Sequence, residues 1–528
     1  MMSTAMPASA PSIPQPQPVF NSRLAVGLLG ILLAAMVAGL SSRVPSLVLV
    51  DIQGGLGFAK DDISWLTTAY SAGELAAMPF AAWFAITFSM RRFHLTMLAA
   101  AMVLAALLPY IRDLHLLLAL RVLHGLCSGS LVPILMMAAL RFLPAPIRLH
   151  GLALFAMTAT LSPNVALWLA SVSVDQLDNW RWAYWNVIPL GLLAMAMVAW
   201  GIPEMPMALA RLKQADWFGM LFAVPGLMLL VLGIDQGVRL DWFHSPMIVA
   251  ALSVGAGFTA LFFICEWLHP APFIRLDLLK RRNIWLGFIT LLGFFVVTFS
   301  GVGLPANTLA GLHGFRLEQT ASLGLMVGLP QLILGSCVAV MLYQRWVDAR
   351  YVFAAGLACM AAACWLASGV TDEWMVPQFL VITLLHAIGQ PLAMVAMLFL
   401  IVSVVQPMEG PYLAGLVNIV RVISTVVAGA LINQLNLIRT RTHYESLRDQ
   451  AGNLSAQWAG FHPSPDSLIA LVVRQSSVLA VADVYRVIGL VALLMIPLVL
   501  KFQYIPAPVV PRLSPSVPSA TQPGVASK

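Results

Sequence analysis

Apolar stretches of about twenty residues recur along this 528-residue chain at 24–50, 63–88, 93–111, 114–140, 149–172, 183–202, 217–234, 246–268, 284–304, 319–343, 351–369, 377–405, 411–437 and 484–503. A helix needs about 20 consecutive apolar residues to cross a bilayer, so the spacing predicts fourteen membrane-spanning helices. The shortest is 217–234, bracketed by Asp216 and Asp235. Residues of the AVILMFWYC set make up 60% of the chain and charged residues 10%. A soluble domain has about 45–50% and 25%, so a water-soluble globule is excluded. A membrane β-barrel is excluded as well, because its strands alternate polar and apolar residues whereas these runs are continuous. The expected fold class is an all-α polytopic membrane protein.

The Pro-Gln-rich start and the Pro/Ser-rich end are predicted to be disordered cytoplasmic tails over 1–23 and 504–528, and neither is expected to be a signal peptide. With the N-terminus placed inside, sixteen Lys and Arg fall in cytoplasmic connections and nine in outer ones. That bias follows the positive-inside rule and places both termini in the cytoplasm. The formal charge of +7 therefore reads as a topology signal and implies no nucleic-acid partner. The segment 438–483 is predicted to be a long periplasmic loop holding short amphipathic helices, such as 442–450 and 467–476. Cys127, Cys265, Cys337, Cys359 and Cys364 all lie in apolar runs, the pattern of packed, inert thiols.

Five charges remain inside or at the edges of apolar runs: Arg43, Glu74, Arg121, Arg421 and Arg486. A charge at the bilayer centre costs at least about 2.5–3.5 kcal/mol, so each needs a partner, a wet cavity or a function. Arg486 lies near the start of the last run and can snorkel to the interface. Arg43 and Glu74 sit at depths that let them meet across the bundle, either as an ion pair or as a substrate or proton site. In the fourth run, Arg121, Gly125, Gly129 and Pro133 follow one another at intervals of four and form one slowly rotating stripe. The glycines permit close helix approach.

These residues resemble the fourth-helix motif of the major facilitator superfamily, in particular the 14-helix EmrB/QacA drug:proton antiporters. Leu161-Ser162-Pro163 resembles the antiporter fifth-helix motif. Asn179 to Gly191, with Trp182, Asn186 and Pro189, resembles the entry to the sixth helix. Asp216-Trp-Phe-Gly219 and Gly233 to Trp242 resemble the EmrB inserted helix pair, and Pro391 and Asn418-x-x-Arg421 extend the likeness, which covers about 24–503. The resemblance implies an N-terminal six-helix bundle over 24–202, two inserted helices over 217–268 and a C-terminal six-helix bundle over 284–503. It also implies a tripartite assembly in the bacterial inner membrane, with a periplasmic membrane-fusion adaptor and an outer-membrane channel.

The chain departs from that family in three places. Leu40-Ser41-Ser42-Arg43-Val44-Pro45-Ser46 stands where the family carries a first-helix carboxylate, the loop motif between helices two and three is reduced to Arg91-Arg92, and Ser162 replaces the glycine before Pro163.

The expected activity is secondary export of amphipathic small molecules, drugs or organic and fatty acids, by proton antiport, with the proton gradient in place of a cofactor. Glu74 is the one acidic residue placed deep in a helix, so it is expected to carry or tune the proton. Arg121 would set its state, while Arg43, Arg421 and Asn418 line or brace the cavity. Gly125, Gly129, Pro133, Ser162, Pro163, Asn186, Pro189 and Pro391 would serve packing and gating. Several arginines and few acids favour anionic or neutral substrates. The alternative is a dedicated organic-anion or aromatic-acid exporter with weak or altered proton coupling. No metal-ligand spacing, nucleophile elbow or phosphate loop points to an enzyme.

Overall fold

The computed structural model describes residues 20–457 and 465–508. Eighteen α-helices are found among them. They begin with α1 (Ser22–Leu47), α2 (Leu49–Leu56), α3 (Lys60–Thr87), α4 (Met90–Leu107), α5 (Leu114–Gly129) and α6 (Leu131–Phe142). Next come α7 (Ala145–Ser171), α8 (Trp182–Trp185), α9 (Val187–Gly201), α10 (Trp217–Gly237), α11 (Pro246–Leu268) and α12 (Arg282–Thr298). The last six are α13 (Gly303–His313), α14 (Leu317–Leu342), α15 (Ala349–Ala367), α16 (Leu380–Val402), α17 (Gly410–Gln457) and α18 (Pro465–Leu500).

Thirteen helical segments among the described residues are long and apolar enough to cross a membrane. The expected fourteenth, α3, has 28 residues and so runs about 42 Å. Thr67, Thr68, Tyr70, Ser71 and Glu74 make it too polar to count by composition. Starts are set by side-chain caps. Asn21, Asp113 and Asp216 each accept a backbone N–H three residues on, at 2.8 Å, which satisfies donors that a helix start leaves unpaired. Asp216 thus fixes the start of α10, the segment most closely hemmed by charge.

The helices group into two compact units. The first holds the described residues up to Leu143, Val172–Leu276 and Gln406–Ile423. In it α1 packs on α9, α3 on α5, and α10 on both α11 and α3. The second holds Pro144–Ser171, Asp277–Val405 and the described residues from Ser424. In it α7 packs on α14, and α15 on α16 and α18. This grouping cuts across the sequential division at 24–202 and 284–503, because α7 clusters with the later helices and the first turns of α17 with the earlier ones.

The long outer loop expected at 438–483 is not a loop over its described part. α17 continues without a break to Gln457, and α18 begins at Pro465. With 48 residues α17 is about 72 Å long, more than twice the roughly 30 Å hydrocarbon core. The polar composition of its second half marks departure from the membrane, not loss of helix. Within the second unit Asp483 of α18 clasps α17 through Arg439 and through His443 Nε2 at 2.8 Å, and Arg486 closes the cluster at 3.0 Å. Arg486 is therefore an ion-pair partner about two-thirds along α18 and not near its start. Of the tails expected to be disordered over 1–23 and 504–528, Ser22 and Arg23 instead open α1, and 1–19 and 509–528 lie outside the described residues.

Candidate functional site

The site is built on the crossing of α3 and α5. Their backbones meet through glycine on both sides. A Cβ added to Gly73 would lie 2.1 Å from the Val122 carbonyl oxygen, and one on Gly125 would lie 2.2 Å from the Tyr70 oxygen. One on Gly129 would lie 2.5 Å from the Glu74 oxygen. Only glycine allows this approach, and the motif glycines thereby cradle the backbone of Glu74. Pro133 has no N–H to bond the Gly129 carbonyl, and the helix breaks there into α5 and α6.

The close crossing brings Arg121 under Tyr70. The guanidinium is buried, with its carbon 4.4 Å from the Tyr70 ring centre and 5.4 Å from that of Tyr184. One NH2 group donates to the Ser41 carbonyl of α1 at 3.0 Å, and the other lies 3.1 Å from His124 Nδ1. Tyr70 in turn donates to the Ala38 carbonyl at 2.9 Å, so α1, α3 and α5 are tied at one level. The His124 ring stands edge-on to Tyr70, 5.4 Å between centres.

Glu74 sits at the midpoint of α3 and is buried. Its carboxylate is within electrostatic reach of Arg421, Arg43 and Arg121. Among the described residues it makes no hydrogen bond and no ion pair. Arg43 and Glu74 therefore share one electrostatic neighbourhood, with Arg421 as a third member, and no ion pair joins Arg43 to Glu74. Asn418, fully buried one turn before Arg421, spends its amide on the Ala414 carbonyl of its own helix at 2.8 Å. Arg121 Nε, His124 Nε2, Ser41 Oγ, Ser128 Oγ, Tyr184 Oη and Asn418 Oδ1 are buried with no protein partner among the described residues.

The remaining motif residues lie elsewhere. Asn186 joins α8 to α9 and donates to the Trp182 and Ala183 carbonyls, and Pro189 lies in the first turn of α9. Ser162 and Pro163 lie on α7 and Pro391 on α16, all in the second unit.

Glu74 is not the only acid within a helix. α10 runs on to Gly237, which places Asp235 in its last turn, and Glu266 near the end of α11 is buried and accepts the Ile274 N–H at 2.8 Å. Asp235 falls just outside the expected run 217–234, whereas Glu266 lies inside the expected run 246–268, two residues from its end, and was passed over in the sequence reading.

The second unit contains a buried polar chain that the sequence reading missed. Thr160 of α7 donates to Gln331 of α14 at 2.8 Å, and Gln331 donates to Gln390 of α16 at 2.7 Å. The Gln390 amide lies 3.4 Å from His386 Nδ1, and His386 Nε2 lies 3.1 Å from Ser300 Oγ. All five are buried. The signal was available as polar residues isolated within apolar runs, which demand partners in a membrane.

The chain matches the family model of the Major Facilitator Superfamily over residues 31–429. It is 22% identical to Multidrug export protein EmrB of Escherichia coli strain K12 over 324 residues, 61% of this chain and 63% of that protein. It is 25% identical over 417 residues to Colistin resistance protein EmrB of Acinetobacter baumannii, covering 76% of this chain and 78% of that one. It is 29% identical over 287 residues to Fatty acid resistance protein FarB of Neisseria gonorrhoeae, covering 53% and 55%. Among solved structures it is similar to the human organic anion transporter MFSD10, with a TM-score of 0.55 and 14% identity over 90% of this chain and 99% of that one. It is also similar to the proton:xylose symporter XylE, with a TM-score of 0.55 and 11% identity over 92% and 96%. The family match covers most of the chain and the helical architecture agrees with it, so this protein belongs to the Major Facilitator Superfamily.

Proposed function

We propose that the protein is a secondary active exporter that moves amphipathic small molecules out across a bacterial inner membrane in exchange for protons. It would do so with fourteen spans and both termini cytoplasmic, by alternating access. The observation that carries this reading is Glu74, a buried carboxyl at the middle of a long helix, within the electrostatic reach of three arginines and hydrogen-bonded to none of them. A carboxylate locked in an ion pair cannot exchange its proton readily, whereas one held at a distance can be charged in one state and neutral in another. The unpaired polar atoms of Arg121, His124, Ser41, Ser128 and Tyr184 provide donors and acceptors for a polar substrate group or for water.

The likeness to EmrB proteins supports membership of a tripartite pump with a periplasmic adaptor and an outer-membrane channel. The polar second half of α17 and the start of α18 are the natural place for such contact.

Replacement of Glu74 by Gln tests the reading in everted vesicles. Uncoupler-sensitive transport of an amphipathic anion such as dodecanoate should be lost while the protein level stays normal. Unchanged proton coupling in that variant would overturn the assignment.

A second reading, a dedicated organic-acid exporter, is favoured by the excess of arginine around Glu74 and is consistent with the name of the gonococcal relative. It predicts that dodecanoate is moved and tetraphenylphosphonium is not. The broader exporter moves both.

A further inference from the structure

The inserted helix α10 is latched to α3 by side chains that no membrane linker needs. Thr68 donates to Asp235 Oδ2 and receives a hydrogen bond from Gln236 Nε2, both at 2.5 Å. Gln236 Nε2 also reaches the Ser64 carbonyl at 3.3 Å. One turn on, Arg239 donates to Gln236 Oε1 at 2.6 Å and pairs with Asp61 at 3.1 Å, with the Asp61 side chain 82% exposed. The latch thus runs from solvent at Asp61 to Asp235. Thr68, its partner on α3, is six residues before Glu74 and so about 9 Å along the helix axis.

Arg43 of α1 links the two acids. It is within electrostatic reach of Glu74 and of Asp235, and among the described residues it makes no hydrogen bond or close ion pair with either. We propose that Asp235 is the second carboxylate of the Glu74 site, competing with Glu74 for the Arg43 guanidinium and so setting the pH at which Glu74 takes up its proton. When Glu74 is ionised, Arg43 is shared between the two acids. When a proton from water neutralises Glu74, Asp235 retains the guanidinium, so Arg43 is not left without a counter-charge.

Asp235 is a positioning residue in this scheme, and the inserted pair becomes part of the transport machinery. The other charged or titratable groups around the two acids are Arg121 and His124 of α5, Arg421 of α17 and Tyr70 of α3, with the Asp61–Arg239 pair and the exposed Asp241–His244 pair beyond the end of α10. This inference rests on the proton-exchange reading of Glu74.

The test uses the full-length protein in two ways. The first is uncoupler-sensitive dodecanoate transport in everted vesicles as a function of pH. The second is intrinsic tryptophan fluorescence of the purified protein over the same range, for which Trp65 is a local reporter because its ring lies 5.3 Å from the Arg239 guanidinium. Replacement of Asp235 by Asn removes a negative charge, leaves Arg43 to favour ionised Glu74, and should move both midpoints to lower pH by about half a unit or more. Asp235→Glu should restore the original midpoint. Asp235→Ser, which keeps a hydrogen-bonding group for Thr68, replaces Asp235→Asn where that variant fails to reach the membrane.

Coincident profiles for Asp235→Asn and the original protein, with Glu74→Gln uncoupled, would overturn the inference and leave the role of Glu74 standing. A shift of the same size in the Glu74→Gln background would overturn it too, since Asp235 would then act alone. Persistent coupling in Glu74→Gln by itself would overturn the underlying reading instead.

Discussion

Replacing Gly125 by Ala adds one methyl group where α3 and α5 touch. The new Cβ would stand 2.2 Å from the Tyr70 carbonyl oxygen and 2.9 Å from the Glu74 nitrogen, whereas ordinary contact starts at 3.4 Å. Both obstacles are backbone atoms and cannot rotate away, so the helices must part by about 1 Å at this level. Overpacking of this kind costs about 1–3 kcal/mol. Alanine recovers about 0.5–1 kcal/mol through its better helix propensity.

The net destabilisation is then about 1–2 kcal/mol, read as a thermal midpoint about 1–2 °C lower for the purified protein in detergent. Transport should suffer more than stability, because parting the helices draws Arg121 off the Tyr70 ring and shifts Glu74 with its backbone. Gly257→Ala is the matched control, since nothing lies within 4 Å of a Cβ there, and its midpoint should stay level or rise. If Gly125→Ala kept both the original thermal midpoint and the original transport rate, the crossing would not be the constraint described above.

Arg121→Lys should lower transport at least tenfold at normal protein levels, because one ammonium cannot reach Ser41 and His124 while lying on Tyr70. Vesicle transport beside immunodetection of the protein checks this. Gln390→Leu should destabilise by about 2–4 kcal/mol, since it strands both the Gln331 amide and His386 Nδ1 in a dry interior. The double change Gln331→Leu with Gln390→Leu should recover part of that loss in a thermal-shift measurement, and a further additive loss would contradict the paired-network account.

Much of the helical plan was legible because lipid imposes a one-dimensional rule. A span must be long and apolar, and the runs ending near Leu47, Gly201 and Leu268 obey it to within a few residues. The rule fails where helix outlasts membrane. α17 continues for several turns into polar sequence, and hydropathy cannot distinguish a solvated helix from a loop. The same blindness moved Asp235 out of α10, whose last turn carries the polar residues that lock it to Thr68. At the site, Arg121, Gly125 and Gly129 declared themselves through their four-residue spacing, and Glu74 through its rarity. Gly73, Tyr70 and His124 did not, because each is ordinary in a helix and becomes special only through the partner facing it.

The sequence by itself determined that the chain lives in a bilayer, how its helices are spaced, and that a few buried charges must have a partner or a purpose, since a bare charge at membrane depth is costly whichever helix carries it. The tertiary structure decided which charges meet. Arg43, Glu74, Arg121, Asp235 and Arg421 come from five helices separated by up to hundreds of residues. Their grouping depends on where glycine lets backbones touch and where Thr68 and Gln236 hold α10 against α3. Those are properties of facing surfaces, and no single helix encodes the surface it will face.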